Sequence, residues 1–172
     1  YRQPVADLVV RRVPVSIFLA VYAMSLSAIF TLFFSIWAAV NKGRWADHLT
    51  RIAFLFFITT PNFWLGILLI LLLSLTLRLF PVAGYGESIS DHLRYLFLPA
   101  LTLALQLSGV LIRNLRSQIL VVMESDYVRT AQAKGLSERQ VLIRHVLQNA
   151  LMPTLTIFGL QFGYLIGGTV VI

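Results

Sequence analysis

The sequence predicts an all-α polytopic membrane protein, and three observations carry that reading. Of 172 residues, 58% are hydrophobic and only 12% charged, whereas ordinary soluble domains hold about 25% charged residues. Charge is also absent from four long runs, 15–40, 52–77, 95–112 and 146–172. A span needs about 20 apolar residues, so three of these are ample and the third is minimal. A soluble fold of this size has no core for four helices that are apolar all round. The third observation is the placement of the basic residues. Loops 41–51 and 113–145 hold Lys42, Arg44, Arg51, Arg113, Arg116, Arg129, Lys134, Arg139 and Arg144, against Arg2, Arg11, Arg12, Arg78 and Arg94 in 1–14 and 78–94. Nine against five puts 113–145 in the cytosol. A net charge of +7 arranged this way, with no basic run interleaved with aromatics, argues against nucleic acid as a partner.

Residues 1–14 read as a lead-in on the outer side. Val5, Leu8, Val9 and Val13 are spaced for an interfacial helix, and Pro14 suits the first turn of the span that follows. The first span, 15–40, carries Ser25, Ser27, Thr31 and Ser35, residues that make hydrogen bonds between helices more often than they bind solute. A loop, NKGRWADHLTR, follows, with Trp45 at the interface and Asp47-His48 read as solvated.

The second span, 52–77, has Thr59, Thr60, Pro61, Asn62 and Trp64 in its interior. Pro61 removes a backbone donor and kinks or loosens the helix there. The polar cluster is either part of a solute path, with Thr60 and Asn62 facing it, or a packing kink whose Thr hydroxyls satisfy the backbone. Residues 80–86 are turn formers and lead through a polar segment to the third span, 95–112, with Gln106 beyond its middle. The fourth span, 153–172, carries Gln161 and the glycines Gly159, Gly163 and Gly167 at spacing of four. That spacing favours helix packing. Gln106 and Gln161, rare at such depth, are candidates for the path.

Residues 113–152 form the loop on which the reading turns. From Glu124 the chain is polar and helical in pattern, with a lone glycine. Ser125 or Asp126 can cap a first helix, and Gly135 after Lys134 suits a left-handed C-terminus. Ser137 with Gln140 makes a capping box for a second helix. On that helix Val141, Leu142, His145, Val146 and Ala150 share one face, opposite Gln140, Arg144 and Gln148. The bland alternative is an amphipathic segment lying on headgroups.

Catalytic and cofactor patterns do not emerge. The sequence has no cysteine, no G-x-x-x-x-G-K-[ST] loop and no H-E-x-x-H, G-x-S-x-G or G-x-G-x-x-G run. Its three histidines, His48, His92 and His145, are far apart in sequence. No charge lies inside any predicted span, so the proton relay of many secondary transporters is not visible.

Residues 127–153 resemble the cytoplasmic loop of binding-protein-dependent ABC importer permeases, and more narrowly those of the dipeptide, oligopeptide and nickel branch. Gly135 stands at the signature glycine, Arg129-Thr130-Ala131 where Glu-Ala-Ala is usual, and His145-Val146-Leu147-Gln148 at Ile-x-Leu-Pro, keeping only the leucine. Other phrases typical of the branch are Val13-Pro14-Val15-Ser16, Phe63-Trp64-Leu65-Gly66, Leu98-Pro99-Ala100-Leu101-Thr102, Asp126-Tyr127-Val128-Arg129-Thr130-Ala131, Ala133-Lys134-Gly135-Leu136-Ser137 and Gly159-Leu160-Gln161-Phe162-Gly163.

The resemblance implies a type I ABC importer permease-like helical bundle in a bacterial-type inner membrane, here a partial one lacking a span before it and a portion after it. It implies a permease subunit without chemistry or cofactor of its own. ATP and Mg would sit on two cytosolic ATPases, beside a second permease subunit and an extracytoplasmic binding protein that delivers a peptide, nickel or glutathione. The loop would be the coupling helix, with Tyr127, Arg129, Thr130, Ala131, Lys134 and Gly135 against the ATPase. The alternatives are a secondary transporter or channel subunit not driven by ATP, a membrane-bound enzyme and an anchor protein.

Overall fold

A computed structural model describes the backbone of residues 5–171 and the side chains of residues 13–167. Among the described residues the elements are helical throughout. The bundle is built on α5 (Phe97–Met123), against which helices from both ends of the chain pack.

The most extensive interface joins α5 to α1 (Val5–Val40). The buried stripe of α1 is mostly small: Ala20, Ala23, Ser27, Thr31, Ser35 and Ala38 recur every three or four residues. Small side chains let the backbones approach, which matters in lipid because apolar tails remove most of the hydrophobic drive between helices. Hydrogen bonds add to the van der Waals contact. Ser108 Oγ meets Ser27 Oγ at 3.3 Å, and Ser35 Oγ donates to the Ile112 carbonyl at 3.3 Å. Ser25 instead bonds within its own helix, to Val21 O at 2.8 Å. Pro14 lies inside α1 rather than in its first turn, because the helix already begins at Val5. The side chains on which the interfacial-helix expectation rested, Val5 to Arg12, lie outside the described residues.

The loop expected over 41–51 is largely helical. Helix α2 (Trp45–Thr59) starts within it, and the exposed Trp45 ring packs edge-on against Trp37 with centroids 5.7 Å apart. Nor is 52–77 one rod. Helix α2 stops at Thr59, and α3 (Asn62–Leu69) leaves at 112° to it before widening into a π-helical stretch, Ile70–Thr76. The cause lies in Thr60-Pro61, both extended, with ψ of 130° and 138°. Proline disfavours a helical residue before it and lacks the N–H to continue the ladder. The hydroxyls of Thr59 and Thr60 turn back on the last carbonyls, Thr60 Oγ1 to Phe56 O at 2.7 Å.

At the far end, Ser88 and Asp91 cap the short helix α4 (Ile89–Tyr95), and Tyr85 stacks on His92 at 3.8 Å. Helix α5 then continues eleven residues beyond its expected end at 112, carrying Arg113 and Arg116. Its 27 residues span about 40 Å, against a hydrocarbon core of about 30 Å. The excess leaves the basic end of the bundle proud of the apolar region. The fourth run is likewise longer than expected. Its helix is continuous from Glu138 to Gly167, through a π-helical stretch (Leu142–Leu147) into α8 (Gln148–Val171), with Pro153 inside it rather than at its boundary.

Among the described residues, no side chain or backbone packs on the glycines of α8. A Cβ on Gly159, Gly163 or Gly167 would meet nothing within 4 Å. The close approach is at Gly109, where a Cβ would lie 2.4 Å from Ile58 Cγ1 and 2.9 Å from the Phe54 carbonyl. That glycine is what lets α2 lie against α5.

Candidate functional site

The basic end carries a bent pair of helices, α6 (Asp126–Ala133) and α7 (Glu138–Val141), the latter leading on toward α8. Ser125 is the first cap, by backbone alone. Its hydroxyl donates backward to Val122 O at 2.6 Å rather than to the new helix. The bend itself is a two-bond closure. Gly135 sits at φ +82°, its N–H bonds Gln132 O at 2.9 Å, and the Leu136 N–H reaches back to Ala131 O at 3.4 Å. A left-handed residue is what that closure requires. Ser137 and Gln140 then form a reciprocal capping box, so the sequence marks both the stop and the restart.

What makes the bend rigid is a hydrophobic cluster beneath it. Val128 and Ala131 from α6, Val141 and Val146 after the bend, Ala150 from α8, Leu115 and Ile119 from α5 and Ala39 from α1 are buried together. Leu136, the residue after the glycine, packs against the same cluster. Unlike the contacts deeper in the bundle, this cluster lies at and beyond the ends of the long apolar runs, where water makes burial worth about 25 cal/mol per Å².

The outer face is polar. Tyr127 is 46% exposed, and Arg129, Thr130, Ala133, Lys134 and Gly135 are exposed beside it. Arg129 lies 3.8 Å from Asp126 across one turn, a loose surface pair that leaves the guanidinium available. Thr130 Oγ1 donates to Asp126 O at 2.9 Å. Ala131 is the exception among the predicted contact residues. It is only 6% exposed and belongs to the inner cluster, because it sits three residues from Val128 on the face that α6 turns to α5. The outer face is thus exposed and rich in hydrogen-bond donors, and it is backed by a firm base.

The four residues proposed for a path do not form one site. Thr60 and Gln106 meet directly, since Gln106 Nε2 donates to the Thr60 carbonyl at 2.7 Å. That bond satisfies the acceptor freed at the α2–α3 break, so both serve the bend. Asn62, exposed, lines a separate cleft of ≈ 440 Å³ with Gly66, Pro99 and Thr102. Gln161 lies half-buried on α8, and no hydrogen bond described here joins it to the other three.

The pair Asp47–Arg116 escaped the sequence reading. Asp47 is buried in the first turn of α2, where a solvated loop was expected. Arg116 Nε and Nη2 reach its two oxygens at 2.7 and 2.6 Å, and the Gly43 N–H adds a bond at 3.0 Å. It ties α2 to α5 just inside the hydrophobic cluster. The signal available was modest: Asp47 is the single carboxylate in the basic stretch 41–51.

Three helices long and apolar enough to cross a bilayer, a fourth candidate folded at 112°, and a clamped amphipathic bend at the basic end describe a polytopic helical membrane protein. Comparison with known proteins gives the family. Residues 31–172 match the one described as binding-protein-dependent transport system inner membrane component. The chain is 43% identical to a provisionally named peptide transport system permease protein of Brucella abortus (strain 2308), over 99% of this chain and 55% of that protein. It is 39% identical to the glutathione transport system permease protein GsiC of Escherichia coli (strain K12), over 99% of this chain and 54% of that one. The chain therefore belongs to the binding-protein-dependent transport system inner membrane component family, and it spans about half the length of these relatives.

Proposed function

We propose that this chain is part of the membrane-spanning permease subunit of an ATP-driven importer in a bacterial-type inner membrane. The solute is a peptide or a similarly small molecule such as glutathione or a nickel chelate, handed over by an extracytoplasmic binding protein. Two such subunits enclose the path, and two cytosolic ATPases, which hold the ATP and Mg, supply the work. The chain itself performs no chemistry.

The observation that carries this reading is the clamped bend. An amphipathic segment resting on lipid would turn Val128 and Ala131 toward the acyl chains, yet both are buried against α5. Its exposed face, Tyr127, Arg129, Thr130, Lys134 and Gly135, is polar and points away from the bundle. A body seated on that face and displaced by nucleotide would move the ends of α1, α5 and α8 with it, because one cluster joins them.

The test is crosslinking in the full-length protein. No cysteine occurs in these 172 residues, so with any cysteine elsewhere in the full-length protein replaced, a single cysteine at Thr130 or Ala133 is a clean probe. It should crosslink to a cytosolic ATPase that co-purifies with the permease, and a membrane-impermeant reagent should reach it only from the inside. Labelling from the outside of intact cells, or absence of any specific partner, overturns the proposal.

A further inference from the structure

A cleft of ≈ 510 Å³ opens between α2 and α5 at the basic end, on the flank of the bundle and apart from the docking face. Its rim is basic: His48 and Arg51 come from α2, Arg113 from α5. Arg116 also lines it but is committed to Asp47. Arg51 and Arg113 are exposed, and no ion pair described here includes either. The carboxylate of the neighbourhood, Asp47, is already neutralised.

Depth gives the second observation. On α2 the uncharged run begins right after Arg51, and on α5 it ends right before Arg113. Both cations therefore stand at the same boundary between charged and apolar chain. The Trp37–Trp45 pair marks that end of the bundle, and tryptophan favours headgroup depth. Farther from the basic end the walls become Leu55, Ile58 and Ile112. A basic rim at headgroup level over an apolar wall at acyl level matches one kind of molecule, an amphiphile with an anionic head.

We propose that this cleft seats an anionic phospholipid, its phosphate held by Arg51 and Arg113 and an acyl chain laid along Leu55 and Ile58. Inorganic phosphate would use the arginines but leave the apolar wall bare. An apolar protein helix would cover the wall but leave two cations without a counter-charge. The inference is independent of the solute and of the ATPase reading.

The experiment uses the full-length permease in its assembled complex. The complex is reconstituted in phosphatidylcholine nanodiscs with a defined share of phosphatidylglycerol, and retained lipids are read by native mass spectrometry. The wild type should keep phosphatidylglycerol in preference to phosphatidylcholine. Arg51→Gln with Arg113→Gln should weaken that retention about thirtyfold, each cation near a membrane surface being worth roughly a factor of five. Arg51→Lys with Arg113→Lys should restore most of it and thereby control for folding. Leu55→Trp, which fills the cleft and spares both arginines, should also expel the lipid. Equal retention by the wild type and the glutamine variant overturns the proposal. So does displacement of the lipid by inorganic phosphate alone, or a disulfide from Ile58→Cys to a segment outside these 172 residues, which would mean that protein fills the cleft.

Discussion

Removing one partner of the Asp47–Arg116 pair should unsettle the fold more than any surface charge change. Asp47 is 2% and Arg116 18% exposed at the side chain, and their contact is two-pronged, at 2.6 and 2.7 Å. Deleting either partner leaves a buried charge without its counter-ion, a loss of roughly 3–5 kcal/mol. Asp47→Ala also strips the Gly43 N–H of its acceptor, so it should cost at least as much as Arg116→Ala. The double variant, with no orphaned charge, should recover part of the loss. Arg116→Lys, which keeps the charge and gives up the fork, should fall between. The assay is denaturant unfolding of the purified full-length protein in detergent, read as a double-mutant cycle, with solute uptake in parallel. Single variants that cost under about 1 kcal/mol, in the range of an exposed pair, would refute the claim that this pair is buried and structural.

Gly109→Val should destabilise by about 1–3 kcal/mol in the same assay through overlap with Ile58 and the Phe54 carbonyl. Gly159→Ala, facing open space, should stay within about 0.5 kcal/mol. Gln106→Leu frees the Thr60 carbonyl and should cost about 1–2 kcal/mol, with hydrogen exchange rising first around residues 59–62. Gly135→Ala meets no steric obstacle but must hold φ +82°. A cost of about 1–2 kcal/mol should fray the end of α6 while leaving the spans intact, as limited proteolysis at 133–137 would report, and on the proposed function it should reduce uptake. Asp91 titrates below the ordinary carboxylate range because the Ser88 hydroxyl, then the Ser88 N–H, bond its ionised form. Its folded value is the lower one, so the cap of α4 holds above the unfolded value and is lost as pH falls through the folded one. Hydrogen exchange of α4 should rise only below the usual carboxylate pKa, and Asp91→Asn should remove that acid step.

How much of this was legible depended on how local the cause was. The bend of α6 was readable because Lys134-Gly135 and Ser137 with Gln140 determine it within a few residues, and the structure has that stop and that capping box. The second span was read as kinked or loosened at Pro61, but the 112° turn draws on Gln106, 46 residues away, catching Thr60 O. Asp47 read as solvated because its partner is 69 residues distant. Glycine spacing located a stripe on α8 without revealing whether anything faced it, and the glycine that matters for packing here, Gly109, sits in no pattern. The direction in which Ala131 points was accessible in principle from its spacing to Val128. The resemblance of the whole loop to a docking element obscured it.

Cohesion is distributed unevenly along the bundle, and that distribution constrains how motion could travel. In the apolar region α1 and α5 are joined by small residues and two hydroxyl contacts, interactions worth about 0.6 kcal/mol per hydrogen bond on average in lipid. At the basic end a water-excluding cluster and a bidentate ion pair join α6, α5, α1, α8 and α2. On the proposed function, a displacement of α6 therefore reaches α5 with little slack and passes through Asp47–Arg116 to α2. The far end of α2 is the break at Thr60-Pro61, held to α5 by the Gln106 side chain. A pull at one end of α2 is thus delivered to the joint where the chain turns by 112°. Arg116→Lys should on this account blunt the coupling of ATP hydrolysis to uptake more than it lowers stability, whereas Gln106→Leu should alter the α2–α3 break without changing how the ATPases dock.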